Sequence, residues 1–340
     1  MDSLTHIAIG AVIGDAWLGK RLGKKAMLIG AVAQSLPDMD FVASLWMSPA
    51  EYLLAHRGFT HSICFALLSG FVLASTAVRW KKEIGLSAWM LFFTVQCLLH
   101  LAIDILNVYG VGLWEPVLHN RYSLNLLFVA DPLFTAWPFI AMIVLFFLKQ
   151  EHVLRIHWRW FAALSCTMYI AIVVLIKLYI TQAVATDLQQ LAIEPARYFT
   201  TPTPLNSLLW YTVVEREGGY LIGYKSVWDK GPGIYIAVYR QEELLSAIAD
   251  RDDVLRLKQF SQDYYIVYKA RDALLFSDLR FGQVFGWADP KASFIFQYDL
   301  LHPESNLLVL QRGRFSGWNR AEVKTLFNRI RGKQNRQVSE

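Results

Sequence analysis

Imidazole and carboxylate side chains set into hydrophobic segments restrict what this chain can fold into more than any other feature. Four of its eight histidines fall within the first 104 positions, in Thr5-His6, in His56-Arg57-Gly58-Phe59-Thr60-His61 and in His100-Leu101-Ala102-Ile103-Asp104, with Pro37-Asp38-Met39-Asp40 between them. A charged group inside a bilayer costs about 2.5–3.5 kcal/mol on insertion scales, so such residues are expected to be paired or liganded. Imidazole and carboxylate together suit zinc, manganese or iron. The grouping predicts a metal site built among membrane helices.

The surrounding composition agrees. The 340 residues are 55% hydrophobic and 18% charged, and the mean hydropathy is +0.32. That balance favours membrane spans and leaves room for one modest soluble domain. A net charge of +5 is mild, and no dense Lys/Arg stripe is present, which argues against a nucleic-acid partner. Cys64, Cys97 and Cys166 lie in apolar runs and read as small core side chains, with no disulfide framework. The opening stretch carries His6 and Asp15 and no basic region ahead of them, so it does not read as a cleavable signal.

Residues 5–19 form a short apolar segment, too short to cross alone, followed by the basic loop Lys20, Arg21, Lys24, Lys25. Residues 26–47 are apolar but broken at Pro37, which cannot donate a backbone bond. Spans are expected at about 62–78, 87–106, 132–148 and 160–180. Loops 79–86 and 149–159 are basic, and placing both in the cytoplasm also puts the 20–25 loop there. His6, Asp38, Asp40, His56, His61, His100 and Asp104 then converge at the extracytoplasmic face, as does the C-terminal part. The expected location is the inner (plasma) membrane, crossed several times.

Beyond about residue 185, runs rich in aromatic and β-branched residues appear at 208–214, 220–224, 234–239, 264–268 and 294–298, with helical stretches at 241–260 and 317–332. The expected fold class is a polytopic α-helical membrane bundle followed by a small α+β domain with a mainly antiparallel sheet. Residues 1–185 would be the helical metal-site domain, 186–205 a linker stiffened by Thr200-Thr201-Pro202-Thr203-Pro204, and 206–340 the soluble domain.

Each ligand has a local rationale and a blander one. His100 and Asp104 are i, i+4 on a helix and share a face with Asn107 nearby, though an intramembrane His can be simple hydrogen-bonding glue. Asp38 and Asp40, in an extended segment, would point the same way, or would serve a turn. His56 and His61 meet one metal if Gly58 bends the chain, while Thr60 or Ser62 caps the next helix. Arg57 can fork onto a phosphate or carboxylate. Asp131 reads as a cap for the 132–148 span. His119 and His302 read as surface residues, and His152 and His157 belong to a basic cytoplasmic loop.

The opening Met1-Asp2-Ser3-Leu4-Thr5-His6, with the Pro37, His56 and His100 motifs quoted above, resembles the YdjM family of membrane-bound predicted metal-dependent hydrolases over roughly the first 180 residues. The spacing is also distantly similar to that of zinc-dependent phospholipases C. The resemblance implies hydrolase chemistry at a phosphoester. Together with the residues it gives the leading expectation: a divalent metal, zinc, as two ions held by subsets of His6, Asp38, Asp40, His56, His61, His100 and Asp104. Asp38 or Asp40 would be the base, Arg57 would stabilise phosphoryl charge, and the substrate would be an amphiphilic phosphoester among membrane lipids. The alternatives are a metal-ion or solute transporter, and a non-catalytic assembly protein with a structural metal.

Overall fold

The computed structural model describes residues 1–248, 251–308 and 317–333. The chain divides into two compact units. The first comprises residues 1–46, 55–173 and 204–206, and the second residues 47–54, 174–203 and 207–340.

The first unit is helical. It opens with α1 (Ser3–Leu22) and α2 (Lys25–Gln34), then short 3₁₀ helices at Pro37–Leu45 and Phe59–His61. Between those two lies α3 (Pro49–Ala55), most of which belongs to the second unit. There follow α4 (Ile63–Trp80), α5 (Leu86–Asp104), α6 (Pro132–Phe147) and α7 (Leu154–Gln190), whose later part also falls in the second unit. Three of these, α4, α5 and α7, are long and apolar enough to cross a membrane, while α2 and α6 are apolar but shorter. The span expected at 160–180 is thus part of a longer helix that begins at Leu154 and absorbs Arg155 and Arg159.

Small residues bring α1 and α2 together. A Cβ at Gly30 would lie 2.0 Å from the Gly10 carbonyl oxygen, and one at Gly14 would lie 2.1 Å from the Ala26 carbonyl oxygen. Gly10 and Gly14 thus face Ala26 and Gly30, the small-xxx-small pattern that lets helix backbones touch in an apolar medium. A cluster of Leu18, Leu22, Ala26, Ile84, Trp89 and Phe92 closes the end of the unit that carries the 20–25 and 81–85 turns. Asp15, fully buried, accepts from Arg155 and from Arg159 at 2.8 Å. Arg155 also donates to the Leu145 and Leu148 carbonyls at 2.8 Å each, which caps α6. The three basic loops therefore gather at one end of this unit.

The other end is where the chain breaks. α2 stops at Gln34, and Pro37 heads a 3₁₀ helix rather than the extended segment expected. At three residues per turn, neighbours two apart diverge. Asp38 and Asp40 accordingly point to different partners instead of side by side. Asp131 is the N-cap of α6, accepting from Leu133 N and Phe134 N at 3.0 and 3.1 Å and from the Tyr169 hydroxyl at 2.9 Å.

The second unit holds two antiparallel sheets where a single one was expected. Strands β1 (Arg197–Pro202), β2 (Leu209–Arg216), β3 (Gly219–Ser226) and β4 (Tyr235–Tyr239) form one in sequence order, and β5 (Tyr265–Ala270), β6 (Ala273–Gln283) and β7 (Phe294–Asp299) the other. Tyr211, Val213, Tyr220 and Ile222 of the first share a core with Tyr264, Ile266, Leu279 and Phe294. The 241–260 stretch is a 3₁₀ helix, Glu242–Ala247, and then α8 (Arg251–Ser261), with residues 249–250 outside the described residues. The last helix, α9 (Arg320–Ile330), is capped by Asn319. Residues 186–205, expected as a linker, contain the end of α7 and all of β1. Pro202 is tolerated because β1 is an edge strand.

Candidate metal centre

Asp38, His61, His100 and Asp104 come together where α2, α5 and the two 3₁₀ helices meet. One ligand atom from each lies within 4.8 Å of all the others. His61 Nε2 is 3.1 Å from His100 Nε2, 3.4 Å from Asp104 Oδ2 and 3.5 Å from Asp38 Oδ1. His100 Nε2 is 3.6 Å from each of those two carboxylate oxygens. Ligands about 2.0–2.1 Å from a tetrahedral zinc-sized cation stand about 3.4 Å apart, so these separations are those of a coordination shell.

Proton assignment sharpens the point. His100 Nδ1 sits 2.6 Å from the Gln34 carbonyl oxygen, which can only accept. Nδ1 therefore carries the proton and Nε2 a lone pair. The Thr60 hydroxyl donates to Asp40 Oδ2 at 2.9 Å, so its own lone pair accepts from His61 Nδ1 at 3.0 Å. His61 Nε2 is thus bare as well. Burial pushes the His61 pKa down to about 3, so the ring is neutral. Two lone pairs facing each other at 3.1 Å, beside two carboxylates, repel unless a cation lies among them. Asp104 Oδ2 is buried and, apart from the Arg57 guanidinium 3.2 Å away, faces the bare nitrogens of His61 and His100, a donor set that fits a metal ion.

The remaining expected ligands surround these four. His6 is fully buried, stacks on His100 with ring centroids 3.8 Å apart, and places Nε2 3.2 Å from Asp104 Oδ1. The Met1 amine bonds the same oxygen. Asp40 accepts from His56 Nδ1, from Arg57 N and from Thr60 Oγ1, all at 2.9 Å. It stands behind His61 and orients it, the outer-shell carboxylate that metal-binding imidazoles use. His56 lies on the far side of Asp40, its side chain 29% exposed. Arg57 is buried; its Nη2 is 3.2 Å from Asp104 Oδ2, its Nη1 donates to Asn107 Oδ1 at 2.9 Å, and its guanidinium lies over Tyr109.

The bend expected at Gly58 falls one residue earlier. Arg57 takes a φ of +61° while Gly58 has −85°. A non-glycine residue in the left-handed region costs energy that the bonds around Arg57 must offset. The Ser62 hydroxyl caps α4 by accepting from Phe65 N at 3.0 Å, so capping and site-building coexist in this motif. Sequence reasoning missed the Gln34 carbonyl and the Thr60 relay. A main-chain oxygen leaves no mark in composition, and Thr60 was weighed only as a cap.

Apolar helices ending in a buried histidine–aspartate cluster define a class: a membrane protein with a site able to hold a metal ion. More particularly, the chain belongs to the YdjM inner membrane protein family, whose model matches residues 1–184. It is 30% identical over 139 residues to the uncharacterized protein YfhP of Bacillus subtilis (strain 168), covering 39% of this chain and 42% of that protein. It is 30% identical over 109 residues to the inner membrane protein YbcI of Escherichia coli (strain K12), covering 32% of this chain and 62% of that one. The chain thus spans under two thirds of the length of both curated relatives. No solved structure matches it.

Proposed function

We propose that this protein is a polytopic membrane metallohydrolase acting on a phosphoester in a lipid or lipid-linked substrate. The observation that carries the reading is the pair of bare imidazole nitrogens 3.1 Å apart beside Asp38 and Asp104. A divalent cation there, zinc by its nitrogen and oxygen donors, would supply Lewis acidity and lower the pKa of bound water toward about 7.

The chain's own groups divide the rest of the work. Asp38, His61, His100 and Asp104 hold the ion, and a second ion would draw on His6 Nε2 and Asp104 Oδ1. Asp40 is already engaged by three donors, so it serves as a positioning residue rather than as the base. His56, hydrogen-bonded to Asp40 through Nδ1 and partly exposed, is placed to carry a proton to or from the reacting group. Arg57 holds the Asp104 carboxylate and brings positive charge to where phosphoryl oxygens would develop theirs.

The Asp38 side chain is 23% exposed, whereas those of His61, His100 and Asp104 are fully buried. A site open along one edge suits catalysis better than a closed structural role. With the three basic loops at one end, charge bias favours a cytoplasmic position for them and an extracytoplasmic one for the cluster. Metal analysis of detergent-purified protein, followed by a phosphoester and phospholipid hydrolysis screen with and without chelator, tests this. Bound zinc and chelator-sensitive phosphate release are expected; metal-free protein that binds none on addition refutes it.

A further inference from the structure

Between Lys25 and Trp46 the only charged residues are Asp38 and Asp40. Both turn inward, Asp38 to His61 and His100 and Asp40 to His56 and Arg57. Apart from Ser44, whose hydroxyl donates back to the Phe41 carbonyl at 2.6 Å, the exposed residues of the 3₁₀ helix and its cap are apolar. Met39 is 54% exposed, Phe41 56%, Leu45 80% and Trp46 68%. The row continues along α2, where Leu28 and Val32, one turn apart, are also exposed. A water-facing turn would carry polar residues on that side. This one carries the large side chains that belong in hydrocarbon, and it ends on Trp46, the residue type that settles at the lipid–water boundary.

The backbone is compatible with that depth. Irregular chain is not found facing lipid in the hydrocarbon because its polar groups go unpaired. Here the segment is helical: Met39 N donates to the Leu36 carbonyl and Trp46 N to the Ala43 carbonyl, at 3.1 and 3.2 Å. Short amphipathic helices of this kind lie in the plane of the interface, with the apolar face about 5–10 Å into the headgroup–acyl boundary.

We propose that the outward face of the Pro37–Trp46 segment seats in the acyl edge of one leaflet, so that the carboxylates on its inner face stand at headgroup level and the site opens sideways to lipid. The seating rests on the exposed apolar row alone. The statement that headgroups are the substrate deepens the hydrolase reading and depends on it. Asp38, the exposed edge of the cluster, sits on the same turn as Met39, so a lipid in that leaflet would bring its phosphate to the cluster without leaving the bilayer.

The test reads depth, not activity, so it stands apart from the hydrolase reading. Leu45→Cys and, separately, Met39→Cys are made in a full-length background carrying Cys64→Ser and Cys166→Ser, spin-labelled, and reconstituted into phosphatidylcholine–phosphatidylglycerol vesicles. Glu217→Cys, in the exposed turn between β2 and β3, is the aqueous control. Collisions with oxygen should exceed those with a water-soluble nickel chelate at positions 39 and 45, the reverse of the order at 217. The proposal is overturned if the nickel chelate reaches either site as readily as 217. It is equally overturned if dipolar broadening shows a second copy of the chain covering the face. Unchanged depth with no hydrolysis of any phospholipid would leave the seating intact and remove the hydrolase reading.

Discussion

Replacing Gly30 by valine asks how rigidly the α1–α2 contact supports the metal centre. The first carbon added would lie 2.0 Å from the Gly10 carbonyl oxygen and 2.8 Å from the Gly14 Cα. Both are backbone atoms and cannot rotate away. Contact between heavy atoms is most favourable near about 3.5 Å, so the helices must part by about 1.5 Å. His6 is one turn from Gly10 on α1, and Gln34 is one turn from Gly30 on α2. Separating the helices therefore draws the His6 ring off His100 and Asp104, and the Gln34 carbonyl off His100 Nδ1. Overpacking of this kind costs about 1–3 kcal/mol. Metal–ligand distances tolerate only about 0.2 Å, and loss of an outer-shell partner costs about 10–100-fold in affinity. Gly30→Val should thus weaken zinc binding by about 10-fold or more, measured by competition with a fluorescent chelator on detergent-solubilised protein. Gly85→Ala, where an added Cβ meets nothing within 4 Å, should bind as the parent does. A Gly30→Val protein with unchanged zinc affinity and thermal midpoint would refute the claim that this contact sets the ligand geometry.

Asp104→Asn and His100→Gln should abolish metal binding while the protein still inserts, and retained metal stoichiometry in either would count against the ligand set. Asp40→Asn should leave metal bound but about 10–100-fold more weakly, since it loosens His61 without removing a ligand; complete loss would make Asp40 a ligand instead. His56→Gln should keep the parent's metal content yet slow hydrolysis of any phosphoester that the parent hydrolyses, whereas an unaltered rate removes it from proton transfer. Asp131→Ala should lower stability by about 1 kcal/mol through loss of the α6 cap, with no change in zinc affinity; a large affinity change would place Asp131 in the site.

Much of the centre was legible because its chemistry conflicts with its surroundings. An imidazole and a carboxylate one turn apart in an apolar helix, as His100 and Asp104 are, have few uses other than each other and a cation. The roles were less legible than the identities. Asp38 and Asp40 look equivalent in sequence, and only the 3₁₀ geometry separates a ligand position from a positioning one. His56 and His61 look like a pair, yet Asp40 stands between them. The fold was read best where one period dominated, at α4, α5, β2 and β3. Strand β6 was missed because Ser277, Asp278 and Arg280 interrupt its apolar pattern. Asp278 and Arg280 are buried nonetheless, since they bond each other at 2.6 Å along the strand. Burial raises the Asp278 pKa, with the Arg280 charge working against it. Strand β1 was hidden by the two prolines that suggested a linker.

Asp15 received no structural role in the sequence reading, and its partners Arg155 and Arg159 were assigned to a loop. Their pairing fixes an order of assembly. When α1 emerges from the ribosome, its buried acid has no counter-charge, and none arrives until more than a hundred further residues have been synthesised. Until the start of α7 is in place, Asp15 lacks the two guanidiniums that pair with it, although His6 at the opposite end of α1 can already meet His100 and Asp104. Neutralisation of Asp15 is therefore timed by the start of α7, and a nascent or truncated chain ending before residue 155 would carry every expected ligand while leaving a buried acid unpaired at the other end of α1.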